Sequence, residues 1–270
     1  MNIFKKKYFV ILKRNINNLN MVFENLSFMT LLYITVVYFF GGFTQGVLGV
    51  GLITVVIALL SLILDVKLTI ALVLVPTLVT GFFQMINGGN LKKIIPDVKV
   101  YLIFSTTLII PGVFLLKSLN SNLILIFIAI ILLSNSTLSL MNKNISIPFY
   151  QHPLSQSTIG SLNGFIIGLT SIYTMPFVFL LQSLQYPKEK AVQFMGLAFV
   201  LYSSMQLITF SSMQLIDWKT FIPSLLVTIP VVIGFFVGKK IRSYISEAVF
   251  RKLFHFMLVI MSIVIILNVI

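Results

Sequence analysis

From about Leu26 onward the chain alternates long apolar runs with short polar or basic intervals. The first run, Leu26 to Leu64, would be roughly 58 Å long as a single helix, nearly twice a hydrocarbon core of about 30 Å. It must therefore break. Glycines at 41, 42, 46, 49 and 51 remove the side chains that keep a helix regular. The break is expected at Gly49 to Gly51, between Phe28–Leu48 and a half-length piece, Leu52–Leu64. Asp65-Val66-Lys67 makes a tight turn. A second segment runs from Leu68 to Ile86 with Pro76 in its middle. A third runs from Val98 to Leu116, weakened near its end by Pro111-Gly112, and a fourth from Leu123 to Met141.

After a polar interval with Pro148 and Pro153, the pattern returns. Ile159–Leu184 is a second overlong run. It holds Gly164-Phe165 and then Gly168 about 120 residues after the first Gly-Phe, and Thr170, Ser171, Thr174 and Pro176 supply its break. Segments Ala191–Phe210, Thr220–Val237 and Val249–Ile270 complete it. The predicted fold is an all-α integral membrane protein of two homologous four-segment repeats, each beginning with a broken or re-entrant helix. Its parts are a basic tail (1–25), a first repeat (26–141), a linker (142–156) and a second repeat (157–270). Paired interrupted segments in two halves point to a transporter's binding site. The two breaks are expected to meet near the membrane centre, each flanked by a short helix.

Composition agrees: 58% of residues are hydrophobic and 9% charged, against about a quarter charged in soluble domains. The net charge of +13 resembles a nucleic-acid signature until the positions are read. Lys92, Lys93, Lys99, Lys239, Lys240 and Arg242 all lie at the ends of apolar runs, where they anchor helices to headgroups. If every broken segment crosses, Lys and Arg divide nearly evenly between the two faces. If each re-enters, one face collects almost all of them outside the tail, which favours inverted repeats. The tail, Lys5 to Arg14, then sits opposite. It has no small-residue cleavage site and reads as a surface-lying or disordered extension, not a signal peptide. With no cysteine and two histidines far apart, neither disulfides nor a metal centre is expected. No cofactor is implied.

Gly42-Phe43-Thr44-Gln45-Gly46-Val47-Leu48-Gly49-Val50-Gly51 resembles the first-repeat pattern G-F-x-Q-G-x-x-G-x-G of the TauE/SafE family of sulfite and anion exporters. The second half is similar to one branch of that family at Gly168-Leu169-Thr170, Pro176, Leu181-Gln182-Ser183-Leu184 and Ala191-Val192-Gln193-Phe194-Met195-Gly196-Leu197-Ala198-Phe199. The resemblance covers about residues 28 to 270. It implies transport of a small sulfur-containing anion, of the sulfite or organosulfonate class, across the plasma (inner) membrane. Ser171 and Ala198 depart from the branch, which usually has Gly and often Ser there, and Ser171 is expected to narrow the site.

A small anion crossing a bilayer needs donors without a trapping countercharge. Free amides at half-helix starts, with Thr44, Gln45, Gly49, Gly51, Thr170, Ser171, Tyr173, Thr174, Gln182 and Gln193, are the candidate substrate-binding set. The alternative for Gly42 with Gly46, and Gly164 with Gly168, is small-residue helix packing, and for Gln182 and Gln193 it is interhelical bonding. All 6 acidic residues stand at segment boundaries, so no midplane carboxylate is expected. No catalytic or metal-binding set is present, which argues against an enzyme. The partners implied are a small-molecule anion and the lipid bilayer, with no nucleic acid, and a homo-oligomer is left open. A non-transporting membrane scaffold is the rival reading.

Overall fold

The computed structural model describes residues 27–141, 147, 149–173, 176–242, 244 and 246–269. The basic tail and Asn142–Ser146 of the linker lie outside them. The helices are α1 (Phe28–Leu48), α2 (Leu52–Leu60), α3 (Val66–Ile86), α4 (Leu91–Thr107), α5 (Ile109–Ser118), α6 (Ser121–Leu140), α7 (Pro153–Thr170), α8 (Phe177–Leu184), α9 (Lys188–Ser212), α10 (Trp218–Ile241) and α11 (Glu247–Val269). There is no strand among the described residues. Among the described residues six helical spans are long and apolar enough to cross a membrane, α4 and α5 counting as one.

Most boundaries follow from local chemistry. Ser27, Asp65, Asn120 and Asp217 cap α1, α3, α6 and α10 with side-chain oxygens. The third segment is interrupted at Leu108, just before the expected weak point, because Pro111 has no N–H to offer the Thr107 carbonyl. α7 starts at Pro153, six residues ahead of the hydropathic edge at Ile159. His152 caps it, Pro153 occupies the first turn, and Gln156 is buried by donating to the Asp97 carbonyl at 2.7 Å. A polar residue satisfied in this way leaves no trace in hydropathy.

Contacts fix the direction of each helix. The face where α1 begins is face I. α2 runs back along α1, since a methyl on Gly41 would lie 3.0 Å from the Leu52 side chain and the Tyr33 hydroxyl donates to the Leu59 carbonyl at 3.2 Å. The first break is therefore a fold-back, not an interruption in a crossing helix. α3 then descends to face II, where Gln84 donates to the Gly49 carbonyl at 2.9 Å. α4 and α5 return to face I, where Lys67 Nζ donates to the Lys117 carbonyl. α6 starts there, with Ser121 on Asp65 at 2.6 Å, and descends. α7 starts at face II and climbs. α8 folds back to face II, where the Ser183 hydroxyl accepts from Ile147 N–H and Tyr186 donates to Asp97. α9 climbs from Gln193, which accepts from Asn90 N–H, to Met213, whose carbonyl takes Lys117. α10 descends from Ser224 on the Leu72 carbonyl to Arg242 on the Gly46 carbonyl. α7, α8, α9 and α10 thus run opposite to α1, α2, α3 and the α4–α5 span, in that order.

The halves interlock through small residues. A Cβ on Gly42 would collide with the Val231 carbonyl, and one on Gly46 with the Phe235 carbonyl. Gly164 and Gly168 stand in the same way against the Ser105 and Ile109 carbonyls. Backbone contact this close gives van der Waals packing where lipid supplies no hydrophobic drive. Of the two readings of these four glycines, the geometry supports packing. α3 lies against α9 and α6 against α11.

Candidate functional site

The two fold-backs are built alike. α1 ends on Gly49 at φ 86°, whose N–H returns to the Gln45 carbonyl at 2.8 Å. α7 ends on Ser171 at φ 57°, whose N–H returns to the Ile167 carbonyl at 2.7 Å. Both are left-handed caps, which glycine adopts freely and serine does not. Gly51, at φ 120°, then leads into α2. The caps lie toward opposite faces, but residues of both breaks come together. What converges is the returning chain: Gly51 and Tyr173 line one cavity with Gln45, Thr54, Thr77 and Phe199. Its volume, ≈ 10 Å³, is close to the least that one water needs.

A glutamine braces each fold-back. Gln84 on α3 donates to the Gly49 carbonyl and accepts from Gln45 Nε2, both at 2.9 Å, while Thr80 donates to Gln45 Oε1 at 3.2 Å. Gln206 on α9 donates to Ser171 Oγ at 2.7 Å and accepts from the Tyr173 hydroxyl at 2.6 Å. All of these side chains are buried, where an unpaired amide would cost about 1 to 3 kcal/mol. Behind Tyr173, Asn163 donates to Tyr101 at 2.7 Å and Tyr202 donates to Ser105 at 3.0 Å, joining α7, α4 and α9.

The ten sequence-derived candidates thus separate by position. Gln45, Gly51 and Tyr173 border the cavity. Gly49 and Ser171 are the caps. Thr44 and Thr170 donate to their own helices, at the Phe40 and Ile166 carbonyls. Gln193 is buried near face II, bonded to Asn90 N–H and the Met85 carbonyl. Gln182 lines a larger cleft beside α8, and Thr174 lies outside the described residues. Sequence reasoning passed over Thr54, Thr77, Gln84 and Gln206. A signal for the last two was present, because Gln84 and Gln206 are separated by the same number of residues as Gly42 and Gly164, or Gly49 and Ser171.

Charge stays at the ends. Asp65, Asp97, Glu189 and Asp217 lie at or near helix starts, and no group of acidic, histidine or cysteine residues that could hold a metal occurs among the described residues. Toward face II, Lys190 sits 3.2 Å from Asp97 and 3.7 Å from the centre of the Tyr186 ring. Burial, and then the bond to Asp97, raises the pKa of the Tyr186 hydroxyl. The positive ends facing the middle are those of α2 and α8, neither capped by a side chain. The arrangement can therefore offer backbone and neutral side-chain donors to an anion without a fixed cation. The family model described as Sulfite exporter TauE/SafE matches residues 34–265. No curated protein and no solved structure matches the chain.

Proposed function

Because the chain belongs to the sulfite exporter TauE/SafE family, a family of multi-pass membrane transporters of anions, we propose that it is a permease for a small sulfur-containing anion of the sulfite or organosulfonate class, bound between its two fold-backs. The observation that carries this reading is the start of α2, uncapped by any side chain and opening on the cavity bordered by Gln45, Thr54, Thr77 and Tyr173. A helix start supplies oriented N–H groups and a partial positive charge. Neutral donors hold an anion about half as strongly as charged ones, which suits release on the far side.

The two halves are inverted repeats in this reading, and exposure of the site alternates between faces as one half moves against the other. Face II is cytoplasmic, because Lys92, Lys93, Lys188, Lys190, Lys239, Lys240 and Arg242 gather there while Lys67, Lys117 and Lys219 lie at face I. Flux into proteoliposomes tests the proposal. Labelled sulfite should cross faster than in protein-free vesicles, and both Gln45→Ala and Tyr173→Phe should slow it in protein that inserts normally. No flux of any sulfur oxyanion would defeat the transport reading. Parent-rate flux in both variants would move the site elsewhere.

A further inference from the structure

The central cavity is too small in this conformation for any oxyanion, yet two of its lining residues, Val50 and Thr54, also line a much larger cleft of ≈ 370 Å³. That cleft lies between α8, the face II halves of α6 and α11, and the first turns of α9. We propose that it is an outer loading site, opening toward face II, for a small organic anion that carries an apolar body. The inference rests on the transport reading above and specifies what is transported.

Three features select that ligand. The walls are apolar: Val178 and Leu181 on α8 face Leu138 on α6 and Val192 on α9. An inorganic oxyanion gains nothing from such walls, whereas each methylene withdrawn from water adds to binding. The polar lining suits an anion as well, since Lys188, His255 and the exposed Gln182 are among the residues that can receive a negative head, and no acidic residue lines the cleft among those described. The volume falls within the range of small-molecule sites, which are mostly apolar with a few polar groups for orientation. Val50 and Thr54 then form the throat between this site and the start of α2.

The test uses the full chain, which has no native cysteine, in proteoliposomes. A single cysteine is placed in the cleft wall as Ser139→Cys and, independently, as Ala191→Cys, and its modification by a membrane-impermeant thiosulfonate reagent is timed. Straight-chain carboxylates and sulfonates of one to six carbons are the protecting ligands. Protection should strengthen about three- to fourfold per added methylene until the cleft is filled, and Lys188→Gln should weaken it at every length. Protection independent of chain length, with unreactive sulfate as effective as the six-carbon anions, would overturn the apolar-body inference. Equal protection by uncharged alcohols would overturn the anion site. Flux of labelled sulfite and of a labelled six-carbon sulfonate, measured in the same vesicles, separates the two ideas. Flux without protection removes only the loading site, and absence of flux for every anion removes the transport reading beneath it.

Discussion

Gln84 and Gln206 illustrate how single residues set this fold and why they were hard to read. Each sits in an apolar helix, where a lone Gln suggests no more than an interhelical bond, and only the return of the same spacing in the second half marks the two as equivalent. Gln84→Leu should leave the Gly49 carbonyl and the Gln45 amide without their partner, costing about 1 to 3 kcal/mol. Gln206→Leu should do the same to Ser171 and Tyr173, and both should lower the midpoint of thermal unfolding in detergent by similar amounts. A variant that unfolds at the parent midpoint would show that its brace carries no energy. Gly49→Ala tests the cap itself. A left-handed Ala costs about 1 to 2 kcal/mol, and its methyl would lie 2.6 Å from Met195 Cε, so this variant too should melt early. The glycine breaks were legible because glycine's lack of a side chain acts locally. The glutamine partners were not, because their meaning depends on helices far away in sequence.

For the elements, hydropathy marked every apolar helix that spans or half-spans the bundle but carried no sign of direction. Leu52–Leu60 has the same apolar character whether it continues across or turns back, and only contacts such as Tyr33 on Leu59 reveal the turn. The charge pattern did favour re-entry, because charge is counted by face. Crossing contacts offer a sharper test. α1 meets α10 through Gly42, Gly46, Gly234 and Gly238, and α7 meets α4 and α5 through Gly160, Gly164, Gly168 and Gly112. Gly42→Leu and Gly164→Leu should each force backbones apart, costing about 1 to 3 kcal/mol or more. The yield of monodisperse protein in size-exclusion chromatography should fall for both. A parent-like yield for either would show that its crossing can open without loss.

On the scale of the whole molecule, direction and charge together make a topology that can be labelled. Cysteines introduced at Asn90 and Lys240 should react with an impermeant reagent from the cytoplasmic side, and one at Lys219 from the opposite side. Asn90 and Lys240 reacting from different sides would contradict the inversion of the halves. The interlocked crossings also bear on how the protein is made. α1 emerges long before α10, which packs against its Gly42 and Gly46, and α4 and α5 wait for α7 from the other half. The first half cannot finish packing before the second is inserted, so its helices must remain in lipid as incompletely packed intermediates through most of translation. A ribosome stalled before Trp218 should therefore leave a chain that quality-control proteases remove. Two separately translated pieces, divided in the interval between α6 and α7, should rescue each other when synthesised together and be degraded when synthesised alone.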